Sequence, residues 1–186
     1  MQIYRSRSSQ VWGWLCVGLG ALILLIQLIG SGLEQIHVAL GIAVAFAAAG
    51  YAAFLRPSVA VGEDHVELRN VTQTVVAPFS RLAGLEAHWS LELVGDDDKK
   101  AGAFAAPSRT GRDRVRPAED GKSAEVAGLI TAAWDAYRAS ADTAVEPTAA
   151  SALGHPPAPA FSRRVDWVGV GAVAAAVAGL ALAFLA

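Results

Sequence analysis

The chain has 186 residues, of which 15 are Lys or Arg and 17 are Asp or Glu, for a formal net charge of −2; so even a balance supplies no basic field for nucleic acid. Hydrophobic residues make up 54%, above the ordinary soluble level of about 45–50%. The single cysteine, Cys16, excludes an intrachain disulfide and any multi-cysteine metal site.

The excess apolar content sits in three uncharged runs, 11–30, 36–55 and 167–186. Each is about twenty residues, the length a helix needs to cross roughly 30 Å of hydrocarbon. Arg5 and Arg7 precede the first run, in a short N-terminal segment, 1–10. Trp12 and Trp14 stand at its start, where amphipathic rings favour the headgroup layer. The run is longer than a signal-peptide core and no A-x-A site follows closely, so it reads as a retained span. Cys16 lies inside it as a small apolar residue; its neighbours Trp14 and Leu15 are not the small-residue context of a lipid-attachment site.

A link of five residues, Ser31–Gln35, joins the first run to the second and predicts a tight helical hairpin. Gln27 and His37 are the notable polar residues here, Gln27 placed to bond a helix or its own backbone and His37 near the outer interface. Arg56 and Pro57 end the second span, since the charge stops translocation and the proline stops the helix. Small residues recur at four-residue spacing as Gly41, Ala45 and Ala49, and again in the third run as Gly171, Ala175 and Gly179. Such faces allow close helix packing and admit a homo-oligomer. No Asp, Glu, Lys or Arg lies inside any span, which argues against an ion pathway.

From Ser58 to Ala105 the pattern is strands and turns. Val59 and Val61 alternate with polar or small neighbours, Gly62–Asp64 is a turn, and Val66 and Leu68 alternate with His65, Glu67 and Arg69. Arg69-Asn70 reads as a second turn and Val71–Val76 as a third strand. Pro78 is expected to break that strand, with one helical turn over Phe79–Leu82. Leu85 to Leu93 alternates with period two and reads as one bent strand or two short ones. Gly95–Asp98 turns the chain, and Lys99–Ala105 pairs back. Five to seven antiparallel strands are expected.

Residues 106–121 read as a loop carrying Arg109, Arg112, Arg114 and Arg116. A helix is expected from near Ser123, with Glu125 in its first turn and an apolar face of Val126, Leu129, Ile130, Ala133, Trp134 and Tyr137. Residues 141–164 are rich in Pro and Ala and read as a flexible or extended linker. Arg163, Arg164 and Trp167 mark the entry of the third span, 165–186.

The thirteen Lys and Arg residues beyond Arg5 and Arg7 all lie between the second and third spans. The positive-inside bias therefore places the N-terminus and the central domain, 56–140, in the cytoplasm and the C-terminus outside. The expected class is a three-span α-helical plasma-membrane protein with an α+β cytoplasmic domain, an antiparallel meander or partly open barrel capped by one helix.

The residues Leu55-Arg56-Pro57, Gly62–Asn70, Pro78–Leu82 and Trp89–Leu93 resemble those of a bacterial pleckstrin-homology (PH) domain family, the one named after a low-molecular-weight protein antigen of actinobacteria. The resemblance covers residues 50–105, and the helix less closely. It implies a PH-like fold and no catalytic residues. Phosphoinositide-binding PH domains carry basic residues around the loop joining their first two strands; the matching loop here, Gly62-Glu63-Asp64, is acidic and would repel a phosphate.

No nucleophile motif, phosphate-binding glycine loop or metal-ligand spacing is present, so no cofactor or metal is expected. Asp96–Asp98 lacks the spaced ligands of a calcium loop and reads as a charged turn. Trp89 and Trp134 read as core aromatics or as lining for a peptide groove. The leading expectation is a membrane-anchored interaction or scaffold module with the lipid bilayer and an unidentified protein as partners. The alternatives are anionic-lipid sensing through Arg109–Arg116, at about 1 kcal/mol per basic residue near the surface, and an accessory subunit of a transporter or envelope complex.

Overall fold

The computed structural model describes residues 1–86, 90–107, 122–143 and 159–185. In chain order they form β1 (Gln2–Tyr4), α1 (Arg7–Gly30), α2 (Ile36–Gly50), β2 (Ser58–Val61), β3 (His65–Arg69), β4 (Gln73–Pro78), β5 (Leu82–Glu86), β6 (Ser90–Gly95), β7 (Lys100–Pro107), α3 (Lys122–Thr143), β8 (Ser162–Val165) and α4 (Trp167–Leu185). The chain divides into two units. One comprises Met1–Tyr4, Val59–Leu68 and Val75–Arg163, and the other Arg5–Ser58, Arg69–Thr74 and Arg164–Ala186.

The first unit is built on antiparallel strands and one helix. Strand order in one sheet is β1-β2-β3-β4-β8 and in the other β5-β6-β7. β1 pairs with β2 through Gln2↔Val61, Ile3↔Ala60 and Tyr4↔Val59. In the second sheet Leu91 and Leu93 stand opposite Ala103 and Ala101, and all four are buried. Their neighbours Glu92 and Gly102 point the other way, as period-two alternation requires. The core is completed by Val59, Val66, Leu68, Val75, Phe79 and, from α3, Val126, Ile130 and Trp134. Those three helix residues recur every fourth position and form one stripe. The indole Nε1 of Trp134 donates to the Phe79 carbonyl at 3.2 Å, and the rings of Phe79 and Tyr137 meet at 5.7 Å.

Several expectations are revised. The third strand begins at Gln73 rather than Val71, because the Asn70 N–H donates to the Gln73 carbonyl and leaves Val71 and Thr72 at the turn. It also runs through Pro78, whose extended backbone fits a strand end, before the expected helical turn at Phe79–Arg81. The 85–93 alternation forms two strands, β5 and β6; His88 and Trp89 lie outside the described residues. Two strands come from segments assigned to the N-terminal tail and the linker. Ala160 and Phe161, expected in the linker, are buried in the core, and the Ala160 N–H donates to Asp97 Oδ2 at 3.3 Å. What was read as a linker over 141–164 is thus helix to Thr143 and strand from Ser162, and the third helix starts at Trp167, not 165.

The second unit holds three helices long and apolar enough to cross a membrane, Arg7–Gly30, Ile36–Leu55 and Trp167–Leu185. α2 packs against both α1 and α4. The α1–α2 link turns through left-handed residues Gly32 and Gln35, and Gln27 Nε2 donates across it to the Glu34 carbonyl at 2.5 Å. The second span ends in one π-turn, Tyr51–Leu55. Close approach of α2 and α4 is set by small residues. A Cβ on Gly41 would overlap the Gly179 carbonyl oxygen, and one on Gly179 would overlap that of Gly41. Ala45 and Ala183, one turn further along each helix, are buried at the same crossing. Without a strong hydrophobic drive between spans, such backbone proximity is how apolar helices gain packing. The expected stripe of the third span is only partly used, since Gly171 is exposed with open space around it.

Gly41→Leu is therefore expected to lower stability in detergent by about 1–3 kcal/mol, the usual range for overpacking. Gly171→Leu should leave the unfolding midpoint within measurement error. Thermal unfolding of the two variants, followed by circular dichroism, checks the pair.

Candidate functional site

Of the residues singled out as membrane-interface anchors, Arg5, Arg7, Trp12, Trp14, Arg163, Arg164 and Trp167 are exposed. Arg163 also donates to the Lys100 carbonyl at 3.1 Å. Arg109, Arg112, Arg114 and Arg116 lie outside the described residues. Arg56, expected as the charge that stops the second span, is the centre of a part-buried cluster. Its guanidinium grips Asp166 through both carboxylate oxygens, Nε to Oδ2 at 2.9 Å and Nη2 to Oδ1. The side chains are 15% and 5% exposed. The third arm, Nη1, donates to the Tyr51 hydroxyl at 3.2 Å. The wider π-turn makes this contact natural, because it closes a bond from the Arg56 N–H to the Tyr51 carbonyl five residues back and brings both onto one face.

Asp166 is at the same time the N-cap of α4. Its Oδ1 accepts the Gly169 N–H at 3.2 Å, and its own N–H donates to the Thr72 carbonyl at 2.9 Å. The neighbouring carbonyl of Val71 lies where a Cβ of residue 169 would stand, so only glycine fits there. Burial pushes the Asp166 carboxyl up, but Arg56 and the helix N–H groups of Gly169 and Val168 outweigh it and hold the group below its ordinary value. Sequence reasoning missed Asp166 although a signal was there: Asp directly before an apolar helical run is an N-cap signature.

The first unit carries an open groove of about 570 Å³. One wall is β1, through Met1 and Gln2, together with Val61–Glu63 of the β2–β3 turn. The other is α3, through Leu129, Ala132, Ala133, Ala136, Tyr137 and Ser140. These helix positions follow three- and four-residue spacing and lie beside the core stripe. Leu129, expected in the core face, is 39% exposed and belongs to the groove. β1 stands at one end of the strand order of its sheet, so the groove runs beside an edge strand. Exposed Glu63 puts a carboxylate at the rim. Tyr4, also on β1, has its phenol pushed up by burial and by the charge of Glu125.

Other charges of the first unit form ion pairs. Arg81 holds Asp96 through two bonds of 2.5 and 2.9 Å, Lys99 meets Asp97 at 3.0 Å, and Lys100 meets Glu86 at 2.7 Å. Asp96 and Asp97 of the acidic turn are thus engaged within the domain. His65 Nδ1 contacts Asp64 Oδ1 at 2.6 Å and holds that exposed carboxyl below its usual value. Among the described residues no three His, Cys, Asp or Glu side chains come together to hold a metal ion. Comparison with protein-family models, curated proteins and solved structures found no match for this chain.

Removing Arg56 leaves a buried carboxylate without its partner, so Arg56→Met is expected to cost about 3–5 kcal/mol. Pairing it with Asp166→Asn, whose amide oxygen still caps α4, should recover most of that loss in chemical unfolding. The Asp166 carboxyl sits below the ordinary aspartate value of 3.8 in the folded protein. Its contribution is therefore full above that pH and is lost as pH falls through the folded pKa. Unfolding midpoints measured from pH 7 down to pH 2 should show an acid-dependent drop that is smaller in Asp166→Asn.

Proposed function

We propose that this chain is a membrane-anchored interaction module without catalytic activity. Its three spans hold a PH-like domain at the cytoplasmic face of the plasma membrane, and the groove beside α3 recruits a protein partner. The observation that carries the reading is the groove itself, an apolar channel alongside an edge strand. An extended segment of a partner adds to such an edge through main-chain hydrogen bonds and seats alternate side chains in the channel. The alanine floor leaves room for those side chains, and Glu63 favours a basic residue on the partner.

The membrane reading is supported by the three apolar helices and by the distribution of Lys and Arg. It is also supported by the pairing of β1 with β2. β1 precedes α1 and β2 follows α2, so a hairpin of two spans returns the chain to the side on which it began. The PH-like reading is supported by the antiparallel meander closed by one amphipathic helix, with Trp134 and Ile130 as its plug.

Crosslinking and affinity purification of the full-length protein from native membranes tests the recruiting surface. Ala136→Arg, an exposed position on the groove, should lose the partners captured by the wild type while keeping the same unfolding midpoint. An unchanged set of partners would remove the groove from the reading. Partners retained by a version carrying only the three spans would move the interface into the membrane.

A further inference from the structure

α1 has 24 residues, which at 1.5 Å each make about 36 Å, some 6 Å more than the hydrocarbon core. Its apolar stretch starts at Val11. When that stretch fills the hydrocarbon, the first helical turn, with Arg7 and Gln10, stands at the depth of the lipid phosphates. Arg7, Gln10, Val11, Trp14 and Leu15 line one shallow, open patch of surface. Their spacing of three, four, seven and eight places them on a single face of the helix. Arg7 is exposed, and among the described residues no hydrogen bond or ion pair reaches its guanidinium. The first turn of α1 contains no acidic residue. Glu34, at the opposite end of the hairpin, is the only acidic residue before Glu63. A counter-charge for Arg7 on this face has to come from outside the helix.

The geometry points to a binding site for one anionic glycerophospholipid on this face. The guanidinium of Arg7 takes the phosphate in a two-pronged, charge-assisted grip. The Gln10 amide donates to the phosphate or glycerol oxygens. Val11, Trp14 and Leu15 receive the upper acyl chain, with the indole at the boundary between headgroup and hydrocarbon. A zwitterionic lipid offers the same phosphate with its own ammonium attached, so it gains less from an uncompensated cation. The inference rests on α1 spanning the membrane. It differs from general interfacial anchoring in requiring Arg7 and Gln10 together, and not Arg5.

The test uses the full-length protein in nanodiscs of mixed phosphatidylglycerol and phosphatidylcholine, released into the gas phase for native mass spectrometry. Wild type should retain one phosphatidylglycerol in preference to phosphatidylcholine. Arg7→Gln should reduce that retention about tenfold, the weight of one charge-assisted contact. Gln10→Leu should reduce it by less, and Arg5→Gln should leave it unchanged. Inorganic phosphate in excess should not displace the lipid, since it lacks the acyl chain; displacement would show a simple anion site instead. Equal retention of both lipids, or retention unaffected by Arg7→Gln, overturns the proposal. Extraction of the wild-type chain from native membranes by alkaline carbonate would overturn the spanning reading, and the lipid site with it. Resistance to carbonate without preferential lipid retention would overturn the site alone.

Discussion

A single ion pair fixes how the helical unit is assembled. Gly41 and Gly179 let α2 and α4 approach closely, but an apolar crossing of small residues does little to resist rotation of one helix about its axis. Arg56 and Asp166 supply that restraint. Asp166 has to face the guanidinium and the Gly169 N–H together, and one rotation of α4 satisfies both. The Val71 carbonyl against Gly169 tightens the condition, since a turn of the helix in either direction would bring a side chain into it. The pair is costly to bury, but each oxygen of the carboxylate has a donor, which is the condition under which such pairs persist.

The charges elsewhere divide into two kinds. In the first unit Arg81, Lys99 and Lys100 each have a carboxylate within reach, and these exposed pairs contribute little stability. Their effect is local, since two of the three carboxylates of the acidic turn are offset by Arg81 and Lys99. At the start of α1, Arg7 has no such partner among the described residues.

Much of this was legible in the residues. Uninterrupted apolar runs mark the three long helices, and alternation of Val59, Val61, Val66 and Leu68 marks β2 and β3, because burial on one face leaves a periodic trace. β1 and β8 leave none. Ser162–Val165 is exposed along its whole length and is held as a strand by backbone pairing, which side-chain type does not record. Phe161 was hidden by its Pro- and Ala-rich neighbours. The Arg56–Asp166 pair joins positions 110 residues apart, beyond any local pattern. Leu129 shows the opposite failure. Its spacing fits the apolar face of α3, but that face is wider than the sheet it covers, and the surplus forms one wall of the groove.

The order of strands in the larger sheet has a consequence for synthesis. β1 emerges before α1, but its partner β2 follows α2, so the pair forms only after the intervening hairpin has been made. At the other edge, β8 lies about eighty residues beyond β4, several seconds of translation at roughly 5–20 residues per second. Through that interval β4 presents an open edge, and the Phe161 site in the core stays empty. A ribosome halted before Ala160 would therefore display a domain lacking its last strand and one of its core aromatics. The final stretch before α4 thus completes both the sheet and the core, and it does so last.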